Sequence, residues 1–127
     1  MKKSKNSQKK NKNGIVKEYF TDGKLSAVVT YKNGKRNGYC KHYFRNGKLR
    51  AAGKFVDGKF TGPWKWYREG GGLLQVGSFK ENKQEGLWKR YYDNGKLIDV
   101  GRFKNGKKTG LWKTFKPDGS IKTEKKY

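Results

Sequence analysis

Glycine recurs at Gly14, Gly38, Gly62, Gly86 and Gly110, every 24 residues, so the chain is one short unit written five times. A period of that length excludes most compact folds. Each unit is a small supersecondary element that buries its apolar face only against the next copy. The period also shapes function, because a repeated unit offers a recurring surface rather than one asymmetric cleft.

Numbered from those glycines, the units align without insertion or deletion, and the last stops at KTEKKY. Position 3 is Val16, Cys40, Trp64, Trp88 and Trp112. Position 4 is Lys17, Lys41, Lys65, Lys89 and Lys113, and position 6 is Tyr19, Tyr43, Tyr67, Tyr91 and Phe115. Position 10 is always glycine, and position 18 is always Tyr or Phe. Composition taken alone argues the other way. Leu, Ile, Val and Phe make up only 23 of 127 residues and the net charge is +23, values typical of disordered chains. Aromatic residues at fixed positions supply the burial that aliphatic residues do not, so the periodicity decides for an ordered fold.

Each unit holds two short runs rich in aromatic and β-branched residues, separated by Asn-Gly or Asp-Gly pairs such as Asp22-Gly23, Asn33-Gly34 and Asn46-Gly47. Those pairs suit two-residue type I′ turns. The expected fold is all-β: an elongated, single-layer antiparallel meander of about ten strands, with no helical periodicity anywhere. A turn at positions 9 and 10 makes hairpin partners sum to 19. Position 3 then faces position 16, as Trp88 faces Gly101, and the glycine gives the indole room. One face should carry the tryptophans with positions 7, 12 and 18, leaving each indole partly wet. The other should carry the position 4 lysines and position 6 tyrosines, a ladder roughly 40 Å long at about 4.8 Å per strand.

The phrases GLWKRYYDNGKL and GRFKNGKKTG resemble MORN repeats, and look most like the 24-residue bacterial variant of the YwqK-type antitoxin family. The resemblance covers residues 14–127. It implies a β-hairpin solenoid that acts as a binding or scaffolding module. The antitoxin label implies a protein partner, a toxin held inactive. The third unit departs from the pattern at Gly70-Gly71-Gly72 and at Glu81-Asn82, and units one and two lack the tryptophan.

Residues 1–13 hold six lysines, no acid and no apolar residue after Met1, and read as a disordered basic tail rather than a secretory leader. Units one to five run 14–37, 38–61, 62–85, 86–109 and 110–127. The charge points to an acidic partner: an acidic, toxin-like protein first, and alternatively RNA, single-stranded DNA or an anionic lipid surface. Lysines that flank turns, such as Lys35 and Lys107, also serve to keep sheet edges apart. The open edges permit pairing into a homodimer. The residues expected to meet the partner are Lys17, Lys41, Lys65, Lys89, Lys113, Tyr43, Tyr67, Tyr91, Trp64 and Trp66. Trp66 is the sharpest candidate, since position 5 is elsewhere Glu18, His42, Arg90 or Thr114 and so tolerates solvent.

Catalysis is not expected. The single cysteine, Cys40, and single histidine, His42, give neither a disulfide nor a zinc cluster. Cys40 fills a core slot. Glu69-Gly70-Gly71-Gly72 lacks phosphate-loop spacing and reads as a loosened hairpin. No metal, cofactor or small-molecule substrate is implied, and the lack of a cysteine framework fits the cytoplasm.

Overall fold

The computed structural model describes residues 12–127. Among these residues ten strands form one antiparallel sheet in chain order, with no crossover. They are β1 Gly14–Tyr19, β2 Leu25–Lys32, β3 Lys35–Tyr43, β4 Leu49–Val56, β5 Lys59–Tyr67, β6 Leu73–Lys80, β7 Lys83–Tyr91, β8 Leu97–Lys104, β9 Lys107–Phe115 and β10 Ile121–Lys126. The tail expected over residues 1–13 lies outside the described residues except for its end. Lys12 and Asn13 already follow the repeat: the Lys12 carbonyl accepts from Gly34 N–H, and the Asn13 side chain accepts from Asn33 N–H.

Two kinds of turn alternate. Asn33-Gly34, Asp57-Gly58, Glu81-Asn82 and Asn105-Gly106 have positive φ at both residues, the type I′ geometry expected. Asn82 adopts φ 71° where the other units place glycine, so the odd pair in unit three keeps the same turn. The other turn differs from expectation. At Asn46-Gly47 only the glycine has positive φ, and Phe44 and Lys48 close a three-residue loop through Phe44 N–H to the Lys48 carbonyl. This is a type I turn followed by a glycine bulge. The Asn46 side chain accepts from Lys48 N–H at 2.9 Å, and Asp22, Asn94 and Asp118 repeat that bond, which is why Asx recurs there.

The extra residue shifts the register. Partners sum to 19 from positions 1 to 5, as Cys40↔Gly53 and Trp88↔Gly101 show, but Tyr43 pairs with Leu49 and Tyr91 with Leu97. Directly opposed residues share a face. The position 12 leucines therefore join the tyrosines, not the tryptophans, contrary to the expected stripe. A second irregularity joins successive units: Ala52↔Lys65 is followed by Lys54↔Thr61, two residues against four. Gly62 sits inside it with φ 64°, and Gly86 and Gly110 sit in the corresponding bulges with similar φ. The repeated position 1 glycine marks this bulge.

The core is one face of the sheet. Trp64, Trp88 and Trp112 are only 2%, 4% and 6% exposed, drier than a single layer leads one to expect. Each indole lies over the position 16 glycine of the preceding unit, not over its hairpin partner. A Cβ on Gly77 would stand 2.1 Å from the Trp88 ring, and Gly53–Trp64 and Gly101–Trp112 repeat the arrangement. Each indole N–H also donates to the preceding unit, at 3.1 Å to the carbonyls of Lys54, Ser78 and Arg102. Phe55, Phe60, Phe79, Phe103 and Tyr127 fill the spaces, mostly edge-on, in one continuous aromatic run. Units one and two use a different filling. Val29 replaces the glycine and Cys40 the tryptophan, and both are buried.

Candidate functional site

The two faces carry different chemistry. On one, Lys17, Val28, Lys41, Ala52, Lys65, Val76, Lys89, Val100, Lys113 and Glu124 are successive cross-strand partners, a single row over all ten strands. Lys17, Lys41 and Lys65 are exposed, and Lys89 and Lys113 are half-buried. Alternation along the strands places position 2 beside this row. There Ile15 and Tyr39 are 72% and 73% exposed, and Leu87 and Leu111 are also open to solvent. Beyond them Lys32↔Lys35, Lys80↔Lys83 and Lys104↔Lys107 are directly opposed like charges. Such pairs repel in the free sheet. The ion pairs among the described residues are Arg45–Asp22 and Arg90–Asp99, and neither takes in any of these lysines; Glu124, directly opposite Lys113, is the one carboxylate in the row.

Tyr43, Tyr67 and Tyr91 are half-buried at one margin of this lysine face, each against its leucine. The expected contact set is therefore split. The lysines and tyrosines share one face, while Trp64 and Trp66 stand on the other. Trp64 is a core residue. Trp66 is half-buried rather than exposed, stacked at 5.9 Å on Trp64 and packed at 5.7 Å beside Trp88.

The tryptophan face has one variable row. Glu18, Ala27, His42, Ala51, Trp66, Gln75, Arg90, Asp99, Thr114 and Thr123 are successive partners, and no two units use the same pair. Arg90 grips buried Asp99 through two nitrogens, the shorter contact 2.6 Å, and that bond raises the arginine's pKa. The Thr114 and Thr123 hydroxyls bond each other. Around Trp66 the row opens into a groove of about 510 Å³, lined by Phe44, Phe60, Trp66, His42, Arg36 and Arg50 among others. Burial first, then the Arg50 and Arg36 charges, lower the His42 pKa, so the imidazole is neutral near pH 7. The sequence signal for this groove was the irregularity itself: positions 5, 13 and 23 change from unit to unit on a constant frame.

Burial pushes the Cys40 thiol up to about 11, which makes it a packing residue and a poor nucleophile. Among the described residues no group of three or more His, Cys, Asp or Glu is placed to hold a metal ion.

The fold and its surfaces define a repeat sheet of β-hairpins, a module for binding. The model of the MORN repeat variant matches residues 12–33, 36–57, 84–105 and 108–127, and the chain belongs to that family. The matches keep the 24-residue phase and pass over the hairpin that contains Trp66 and the triple glycine. No curated protein is similar enough to count as a match. Among solved structures, an S. aureus TarM mutant in complex with fondaparinux, alpha-GlcNAc-glycerol and UDP has a TM-score of 0.46 and 14% identity, over 84% of this chain and 23% of that one. TarM gives 0.45 and 15% over 83% and 23%. A GtfA/B complex bound to UDP and GlcNAc gives 0.36 and 12% over 91% and 22%. The chain thus spans less than a quarter of these three solved chains, and TM-scores this low carry nothing over from them.

Proposed function

We propose that the chain is a non-catalytic docking module whose lysine face takes up an acidic protein, in the manner of an antitoxin that holds a toxin-like partner inactive, in a reducing cytoplasm. One observation supports this reading above the others: the unbroken ten-strand row with five lysines, bordered by lysine pairs that face each other without a carboxylate. An acidic surface laid along the sheet relieves that repulsion, and steers its own approach. Lysine rather than arginine suits attraction spread over a surface, since it lacks the planar fork of bidentate recognition.

The test is capture from nuclease-treated extract at near-physiological salt. The wild-type chain is compared with a variant carrying Gln at Lys17, Lys41, Lys65, Lys89 and Lys113. An acidic protein retained by the wild type and lost by the variant is the expected result. Retention of nucleic acid alone before nuclease, and of nothing after it, contradicts the reading.

A second reading has its own observation. The exposed row of Ile15, Tyr39, Leu87 and Leu111 lies between lysine rows, an arrangement that also suits an anionic lipid surface. Co-sedimentation with phosphatidylserine vesicles, lost on changing Ile15, Tyr39, Leu87 and Leu111 to Ser, distinguishes it.

A further inference from the structure

The groove around Trp66 lies on the face opposite the lysines, and its chemistry differs from theirs. Its walls are mostly apolar: Phe44, Phe55, Phe60, Trp64, Trp66 and Leu74. Its floor is shallow at Ala51, the cross-strand partner of both His42 and Trp66. A cation stands at each end. The Arg50 guanidinium lies 5.9 Å over the Phe44 ring near the three-residue turns, and the Arg36 guanidinium 5.4 Å over the Phe55 ring near the type I′ turns. Phe55 lies five positions beyond Arg50, so the two ends of the groove are roughly 16 Å apart along β4 at about 3.3 Å per residue. Among the described residues neither arginine is in an ion pair, and Arg36 also reaches the Tyr31 hydroxyl, which donates to the Glu18 carboxylate. The imidazole between them is neutral and adds no charge.

We infer that this groove is a second docking site, which takes an extended acidic segment of a protein partner: a bulky apolar side chain against Trp66, with carboxylates on either side reaching Arg36 and Arg50. The inference rests on the partner being an acidic protein, as proposed above. The spacing fits about five residues of extended chain. Arginine, unlike the lysines opposite, presents a planar fork that matches a carboxylate. Aromatic and arginine side chains at the centre of a patch are the residues that carry binding energy. A single strand of nucleic acid fits less well. It brings a phosphate with every nucleotide and calls for a continuous cation track, whereas the groove has two separated charges and an apolar wall.

The units themselves supply substitutions that keep the fold. Thr114 stands where Trp66 does, Gln84 where Arg36 does and Ser26 where Arg50 does. The probe is a blocked pentapeptide with phenylalanine between two pairs of glutamates, followed in NMR by the Trp66 indole signal and by the His42 and Ala51 backbone amide signals, the amides serving alone in Trp66→Thr. Serine replaces the phenylalanine in a control peptide, and oligouridylate is the third probe. The phenylalanine peptide should shift the Trp66 indole and bind at least tenfold more tightly than the serine peptide. Trp66→Thr, and separately Arg36→Gln with Arg50→Ser, should each weaken it tenfold or more, while Lys122→Gln, on the last strand and outside both surfaces, leaves it unchanged. Equal binding of the two peptides, or insensitivity to both groove variants, overturns the inference. A larger shift of the indole by oligouridylate than by the peptide overturns it in favour of nucleic acid. Peptide binding in the groove with no acidic protein captured from extract separates failure of the first reading from failure of this one.

Discussion

A Cβ on Gly53, Gly77 or Gly101 would meet the next unit's indole at 2.1 Å, so glycine at position 16 and tryptophan at position 3 of the following unit are one choice made in two places. The Val29–Cys40 pair is the alternative choice, and both members are buried. Gly77→Ala should cost about 3 kcal/mol in urea denaturation, since the ring it meets is itself packed on both sides. Gly77→Val combined with Trp88→Cys copies the second filling. Its loss should fall short of the summed single losses by about 1 kcal/mol or more. Simple additivity would show that the indole does not occupy that place. Cys40 gives a second residue-scale expectation. Its thiol is ordinary in the unfolded chain, with a value of 9.0, and is raised to about 11 when folded. The contribution is therefore whole below about pH 9 and is lost as pH climbs toward 11. Cys40→Val, the residue unit one uses, should unfold at the same urea concentration as wild type near pH 8 and at a higher one above pH 10. An identical alkaline slope in both proteins would contradict the burial argument.

At the scale of the hairpin, each unit is tied to the next through its loops. The Asn46 amide donates to the Glu69 carbonyl and the Lys48 ammonium to that of Gly70, and Asn94 and Lys96 make the same bonds to Pro117 and Asp118. Unit three has glycine at both places. Its loop is not loosened in shape: Arg68 N–H still reaches the Gly72 carbonyl, and Gly71 N–H that of Arg68. What it lacks is the side-chain bonds to unit four from positions 9 and 11; its Arg68 guanidinium bond to the Tyr91 carbonyl matches the Tyr92 hydroxyl bond to the Phe115 carbonyl, which unit four makes as well as the other two. Gly70→Asn with Gly72→Lys should raise stability by about 1 kcal/mol, through two new bonds and a less free unfolded chain. It should also slow amide exchange in the loop at Asp93 and Asn94. Faster exchange there would mean that the two units are not coupled through these side chains. The register at positions 1 to 5 was legible because glycine and aromatic residues fix it. The bulge that moves Leu49 and Leu97 to the tyrosine side was not. Asn-Gly fits both a two-residue and a three-residue turn, and the choice is made by backbone twist rather than by residue type.

Across the whole molecule, one sheet separates two jobs. Positions 1, 3, 4, 10 and 18 repeat and were readable as a frame, whereas the groove depends on how Arg36, His42, Arg50 and Trp66 from three strands converge, which no period announces. Trp66 stood out in the sequence by breaking its column; the arginines did not, because they were counted with the lysines. In the proposed reading an acidic surface docks on the lysine face, and the tryptophan core behind it holds the sheet. A chemical-shift map with polyglutamate distinguishes the two roles. The shifts expected run along Lys17, Lys41, Lys65, Lys89 and Lys113 and fade as salt rises, with the indole signals of Trp88 and Trp112, core residues outside the groove, in place. Trp88 and Trp112 indole signals that move as far as the lysine row, or shifts indifferent to salt, would overturn the reading.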